Sequence, residues 1–124
     1  MWLYVQETGY LYKDLIFKGT GYSGHGIGYN NPNAEDLKGL GPIPTGNWDI
    51  GVFSDHACLG PVVAGLSPHD SCFGRSSFFI HGDNQKMNHT ASDGCIILNH
   101  DLRCLIRDSG DTQLKVVARL LDAV

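Results

Sequence analysis

No apolar run in this 124-residue sequence is long enough to cross a membrane as a helix, so insertion into a bilayer is not expected. Basic residues do not cluster, and 9 lysines and arginines against 13 acidic residues give a net charge of −4. Such a chain lacks the positive surface with which proteins bind nucleic acid. Repeats, linkers and low-complexity tracts are also missing, and the length suits one domain over residues 1–124.

The N-terminal segment MWLYVQETGY has neither the basic start nor the apolar stretch of a secretory signal. If the protein acts outside the cytoplasm, we expect delivery by another route or earlier removal of a leader. This segment alone leaves the compartment open.

Glycine and proline are plentiful and scattered, which favours short strands joined by turns. Large apolar residues alternate in WLYVQ and, after the ETG turn, in YLYKDLIF, so the chain is predicted to open with a β-hairpin. Further strands are predicted in NWDIGVF, VVAGL, SSFFIHG and QLKVVARLL. Residues 19–44 are too long a connection for a simple turn, and we expect them beside the functional site.

One short helix is predicted in NHDLRCLIRDSG. Asn99 is its expected N-cap and Gly110 its expected end. Leu102, Leu105 and Ile106 are predicted to form its buried face. The sequence therefore predicts a mainly β fold with a single helix.

Two residues able to carry chemistry stand at predicted strand ends. His81 ends the apolar run of FFIHGDNQ, and Cys95 begins the one in ASDGCIILNH. Strands that leave at His81 and enter at Cys95 can be neighbours, and a thiol beside an imidazole becomes a nucleophile when the imidazole takes its proton. Gly94 is free to take an unusual backbone conformation, so the N–H groups of Gly94 and Cys95 are candidates to face a developing oxyanion.

Other uses of the cysteines stay open at this point. A cysteine followed by Ile-Ile-Leu is commonly a buried core residue. Cys58 and Cys72 flank a loop suited to a disulfide in an oxidising compartment. Cys104, between Arg103 and Leu105 on the predicted helix, is expected to pack.

A metal site is a further alternative, because several histidines and cysteines lie close together in the sequence. No pair has the two-residue spacing of zinc knuckles, and we expect neither a metal nor any other cofactor. The candidate ligands are His81, His89, Cys95, His100 and Cys104.

Five motifs in one order resemble L,D-transpeptidase catalytic domains, and in particular the L,D-transpeptidase-like effectors of bacterial type VI secretion. They are YSG at residues 22–24, GPIP at 41–44, GRS at 74–76, HGD at 81–83 and SDGCI at 92–96. Each motif is weak alone, but their shared order spans nearly the whole chain. The resemblance implies an L,D-transpeptidase-like β-sandwich with a short helix after the catalytic cysteine.

The resemblance also implies a cysteine enzyme that acts on peptidoglycan stem peptides at the L,D bond before a terminal D-alanine. Cys95 takes the role of nucleophile, His81 that of base and then acid, and Gly94 that of an oxyanion-hole residue, while Ser92 shapes the loop. If water accepts the acyl group, the enzyme is a carboxypeptidase. If a D-amino acid or a second stem accepts it, the result is exchange of the terminal residue or a crosslink.

The sequence departs from ordinary L,D-transpeptidases at two positions. Asp93 stands where they often carry histidine before the glycine, and Ile97 where they carry an arginine after the cysteine. Arg75 is then a candidate to bind a substrate carboxylate, although a surface arginine is an equally good interpretation.

Further residues are assigned around the pair. Asp83, Asp93 or a backbone carbonyl is expected to orient His81 through its second ring nitrogen. Gly82 belongs to the same HGD motif, and Tyr22 and Ser23 are expected to line the cleft.

The same resemblance implies delivery without a visible signal peptide and action in the periplasm of a target bacterium. The implied partners are peptidoglycan stem peptides, the secretion machinery and a cognate immunity protein. Two other classes remain: a non-catalytic peptidoglycan-binding β-domain, and a cysteine peptidase of the papain or wall-amidase kind that uses Cys72 with His81 or His100.

Overall fold

A computed structural model describes residues 1–88 and 90–123 of the chain. The strands of the described part are β1 (Trp2–Val5), β2 (Tyr10–Lys13), β3 (Ile16–Thr20), β4 (Tyr22–Ser23), β5 (Gly46–Ile50), β6 (Ser54–His56), β7 (Gly60–Pro68), β8 (Phe78–His81), β9 (Ile96–Ile97) and β10 (Gln113–Val117). The α-helix α1 comprises His100–Ser109, and 3-10 helices comprise Gly26–Gly28, Pro32–Ala34 and Leu120–Ala123. No helix in the described ranges has the length and apolar character needed to cross a membrane.

The strands are joined in one curled sheet in the order β3-β2-β1-β10-β5-β7-β8-β9-β4, with β6 paired to β7. Its two outermost strands, β3 and β4, are separated in the chain by Gly21 alone, and the sheet is nearly closed. A Cβ atom on Gly21 would lie 2.1 Å from the carbonyl oxygen of Ile97, so this crossing requires glycine. The mainly β prediction with a single helix after Cys95 is confirmed.

Large apolar side chains fill the interior of the curl. Trp48 and Phe78 meet edge to face with their ring centroids 5.0 Å apart, and α1 adds Leu102 and Ile106. Burial of this surface is the main favourable term in folding. The other core residues include Trp2, Tyr4, Leu11, Ile43, Ile50, Leu66, Ile80, Ile96, Leu98, Leu114 and Val116.

The opening hairpin is confirmed in β1 and β2, which pair antiparallel. YLYKDLIF, however, is two strands rather than one, because Asp14 and Leu15 turn the chain back with positive φ angles of 49° and 66°. Aspartate tolerates this left-handed conformation better than most residues, whereas leucine does so only under constraint from its surroundings. The alternation of apolar residues continues through the turn without interruption, so the sequence did not indicate the turn.

The predicted helix forms with both of its predicted ends. The Asn99 side chain accepts a hydrogen bond from the Leu102 N–H at 2.8 Å, and Gly110 ends the helix with φ 69°. The predicted buried face is wrong at Leu105, which is 42% exposed, whereas Arg103 is buried. The guanidinium of Arg103 donates to the Pro61 carbonyl oxygen at 3.0 Å, which explains how a charged side chain takes an inward position.

Candidate active site

Strands β8 and β9 bring His81 and Cys95 to the same face of the sheet. They pair in parallel with Ile80 opposite Ile96, and continuing that register places Cys95 beside Phe79. Ile80 and Ile96 point into the core, and because side chains alternate along a strand, Phe79, His81 and Cys95 face the other way. His81 and Cys95 are therefore diagonal neighbours on adjacent strands, as the sequence predicted.

A single cleft of about 530 Å³ receives both side chains. In the described part of the chain, His81 and Cys95 make no direct hydrogen bond to each other. Diagonal neighbours on adjacent strands are within reach of long side chains, and catalytic hydrogen bonds often tighten only when substrate binds. The other lining residues are Lys38, Gly39, Leu59, Gly74, Arg75, Ser76, Ser77, Phe79, Ala91 and Asp93.

The His81 ring is buried and has a defined orientation. Nδ1 donates a hydrogen bond to the carbonyl oxygen of Gly82 at 2.8 Å, which in the neutral ring leaves Nε2 without a proton. Burial lowers the pKa of His81 and outweighs the hydrogen bond to Gly82, which raises it, while the positive charge of Arg103 adds to the lowering. The ring is thus held neutral, as a base must be before it takes a proton. Asp83, Asp93 and a backbone carbonyl were the groups expected to orient His81, and in the structure the backbone carbonyl of Gly82 bonds its Nδ1.

Cys95 is partly buried, with its Sγ 3.8 Å from the carbonyl oxygen of Ser77. Burial raises the pKa of the Cys95 thiol and the charge of Asp93 raises it further, whereas the Phe79 N–H and the Arg75 charge lower it. In the resting protein the pair is therefore a thiol and a neutral imidazole rather than an ion pair. Such a thiol needs a base to become a nucleophile.

Ser92, for which the resemblance implied a loop-shaping role, is hydrogen-bonded to the backbone of the loop that precedes Cys95. Its fully buried hydroxyl donates to the Cys95 carbonyl oxygen at 2.6 Å. The Ser92 hydroxyl oxygen accepts from the N–H groups of Gly24 at 2.9 Å and Gly94 at 3.1 Å. Three backbone groups around the cysteine are thus tied to one side chain.

Gly94 takes the unusual conformation that the sequence led us to expect, with φ 138°. A Cβ atom there would lie 2.5 Å from Nη2 of Arg75 and 2.9 Å from the Phe78 ring, so no side chain fits. Its N–H, however, already donates to Ser92, which differs from the predicted use in an oxyanion hole. Among the described residues the Cys95 N–H has no protein acceptor, so it is the better candidate for that role.

Arg75 holds together the loops around the site. Arg75 is 7% exposed, and its Nη1 donates to the carbonyl oxygens of Glu35 and Pro42. Nη2 donates to those of Gly41 at 2.9 Å and Asp93 at 3.0 Å. Because both terminal nitrogens have two acceptors each, this geometry does not support the predicted capture of a substrate carboxylate. Arg75 is a positioning residue whose charge also lowers the pKa of Cys95.

The YSG motif is packed against the histidine and cysteine loops. The hydroxyl of Tyr22 donates to Oδ1 of Asp83 at 2.7 Å and accepts from the Ala91 N–H at 3.1 Å. The hydroxyl of buried Ser23 donates to the Gly94 carbonyl oxygen at 3.1 Å. The long connection of residues 19–44 therefore lies beside the site, and Tyr22 and Ser23 support it rather than line the cleft that holds Cys95.

Gly82 and Asp93 complete the predicted set. A Cβ atom on Gly82 would lie 2.7 Å from Nη1 of Arg103, so this turn rests directly on the guanidinium. The side chain of Asp93 is 81% exposed, and its carboxylate lies 3.5 Å from Nδ1 of His25 rather than against His81.

The remaining cysteines lie away from the cleft, and all four are free in the described chain, contrary to the disulfide considered for Cys58 and Cys72. Cys72 is buried and donates to the Arg75 carbonyl oxygen at 3.1 Å. The structure therefore does not bring Cys72 together with His81 or His100 in one site. Cys104 lies 3.8 Å from the ring of His100 on α1.

The described residues contain no group of three histidine, cysteine or acidic side chains placed to share a metal ion. His89, one of the candidate ligands, lies outside the described residues.

Two site residues were not predicted. Phe79 lies beside Cys95 and shares the cleft face with His81, which the alternation in SSFFIHG was sufficient to indicate. Lys38 reaches the cleft from the long connection, and no local pattern marks it.

The fold and the site define a mainly β domain whose histidine and cysteine open into one cleft from adjacent parallel strands. A family model described as the Tlde1 domain matches residues 18–119, and the chain belongs to this family. By its name it is a family of type VI secretion L,D-transpeptidase effectors. Comparison with curated proteins and with solved structures yields no match.

Proposed function

We propose that this protein is a peptidoglycan-targeting cysteine enzyme that acts on the L,D bond of tetrapeptide stems, as a carboxypeptidase, a D-amino-acid exchange transpeptidase, or both. The observation that carries the proposal is the placement of His81 and Cys95 on one face of β8 and β9, in one cleft. Membership of the Tlde1 domain family supports the substrate class.

Acylation follows from the resting state of the pair. Nε2 of His81 takes the thiol proton as Sγ of Cys95 attacks the carbonyl carbon of the third stem residue. The Cys95 N–H is the candidate donor to the oxyanion. The imidazolium then gives its proton to the amine of D-alanine as the C–N bond breaks, which leaves a thioester on Cys95.

The second step releases the stem. His81 takes a proton from water as its oxygen attacks the thioester, and the Cys95 sulfur leaves and recovers a proton from the imidazolium. These two steps together yield a tripeptide stem. When the amine of a D-amino acid attacks instead, a new amide forms and the enzyme has exchanged the terminal residue.

The biological setting that the family supports is antibacterial. We infer a protein passed by a type VI secretion machine into the periplasm of a target cell, where peptidoglycan is within reach. A producing cell then needs an immunity protein that blocks the cleft.

The pH dependence of the reaction is expected to reflect a neutral resting pair. Because burial lowers the pKa of His81, the ring stays unprotonated below its ordinary pKa of about 6.5, and kcat/KM is expected to fall only at lower pH. Because burial raises the pKa of Cys95, the thiolate absorbance of this residue should appear only at a pH above the usual pKa of a cysteine thiol. It is measured as the difference in absorbance between wild type and Cys95→Ala. A thiolate present at neutral pH would contradict this state of the site.

Purified tetrapeptide muropeptides test the proposed reaction directly. Mass spectrometry after incubation with wild type, with and without D-methionine, should show loss of D-alanine or its replacement by D-methionine, and Cys95→Ala should show neither. The ratio of the two products separates hydrolysis from exchange. Stems left intact by wild type would rule the proposal out.

A further inference from the structure

We propose that Lys38 binds the terminal carboxylate of the stem peptide and so selects stems that end one residue after the attacked carbonyl. This inference rests on the proposed function. It assigns a substrate-binding residue in place of Arg75, whose guanidinium is occupied by backbone carbonyls.

The cleft has two lining residues with permanent positive charge among those the structure describes. Arg75 and Lys38 are its lysine and arginine lining residues. The terminal nitrogens of Arg75 donate to four carbonyl oxygens. Lys38 is exposed and makes neither a hydrogen bond nor an ion pair with any described residue. Its ammonium group is therefore the cation available to an anionic substrate.

The ammonium group of Lys38 lies at one end of the cleft wall that leads to Cys95. A Cβ atom on Gly74 would be 3.6 Å from Nζ of Lys38 and 3.8 Å from its Cε, so the end of the lysine lies over Gly74. Gly74 has φ 67°, a conformation that glycine adopts readily. Residues 74–77 then form one wall of the cleft, which runs from Lys38 to the Ser77 carbonyl beside Cys95 Sγ.

The proposed substrate carries a negative charge close to the bond that is attacked. In a tetrapeptide stem the leaving residue carries a free carboxylate, separated from the attacked carbonyl by one residue, about 3.8 Å of chain. A compact ammonium group on a flexible stem suits a single carboxylate near the rim. The acidic lining residue Asp93 has His25 as its neighbour at 3.5 Å and makes no ion pair with Lys38.

The experiment compares a tetrapeptide muropeptide that has a free terminal carboxylate with the same compound carrying a terminal amide. For wild type we expect kcat/KM to be roughly tenfold or more lower on the amide. For Lys38→Met we expect a KM on the free acid raised by about the same factor, a largely unchanged kcat, and no preference between the two compounds. Lys38→Arg should restore most of the preference.

Lys18→Met is the matched control, because Lys18 is an exposed lysine on β3 that does not line the cleft. It should keep the wild-type preference. If Lys38→Met also keeps that preference while wild type remains active, the inference is wrong and the proposed function stands. If wild type converts neither compound, the proposed function and the inference about Lys38 are both wrong.

Discussion

Replacing Cys95 with alanine is expected to lower kcat/KM on tetrapeptide stems by roughly 10⁴-fold or more, because the nucleophile is removed and its partner has nothing to activate. None of the other three cysteines lines the cleft, so no neighbouring thiol can replace it. The side chain is small and only partly buried, so the free energy of unfolding should change by about 1 kcal/mol or less. Steady-state kinetics and thermal melting measure the two effects.

Cys104→Ala is the matched control for that substitution. Cys104 is also partly buried, but it lies on α1 against His100 and outside the cleft. This variant should keep wild-type activity. A Cys95→Ala protein that unfolds would assign the cysteine to packing, and one that retains activity would remove it from the mechanism.

Substitution of His81 should be nearly as damaging to activity and more damaging to stability. Loss of the base is expected to lower kcat/KM by about 10³-fold. In His81→Ala the buried ring leaves a cavity and the Gly82 carbonyl loses its donor, at a cost of about 1–3 kcal/mol. Kinetics together with chemical denaturation separate the two losses.

His81→Asn distinguishes catalysis from packing. An asparagine amide can keep a donor near the position of Nδ1, facing Gly82, but it has no counterpart of Nε2. We expect the same loss of activity as in His81→Ala with a smaller loss of stability. His69→Ala, at an exposed histidine paired with Asp49, serves as the control and should leave kcat/KM unchanged. Activity within tenfold of wild type in His81→Asn would mean that the base is another group.

Local signals made part of the fold predictable. The Asn99 cap and the Gly110 end act within one turn of the helix, so the sequence alone is sufficient to define α1. The turn at Asp14 and Leu15 was missed because the apolar pattern continues through it and because leucine, unlike aspartate, is not a residue that turns favour. The two-residue strands β4 and β9 escape periodicity because two residues are too few to show an alternation, and their strand character comes from their pairing with each other and from that of β9 with β8.

Within the site, chemistry that resides in single residues was easier to predict than chemistry that depends on distant backbone. His81 and Cys95 stood out because each bounds an apolar run. The role of Arg75 depends on the carbonyls of Glu35, Gly41 and Asp93, which only the folded chain brings within reach. The contact of the Gly94 N–H with Ser92 is local, but the Ser92 hydroxyl also accepts from the distant N–H of Gly24, which only the folded chain brings near.

The proposed reaction depends on a thioester between Cys95 and the third residue of the stem. Rapid acid quenching of wild type mixed with a disaccharide tetrapeptide, followed by intact-protein mass spectrometry and peptide mapping, can capture this intermediate. We expect a transient disaccharide-tripeptide adduct on the peptide that contains Cys95, absent from Cys95→Ala. Release of D-alanine with Cys95 unmodified throughout, or an adduct on Cys72 instead, would contradict it.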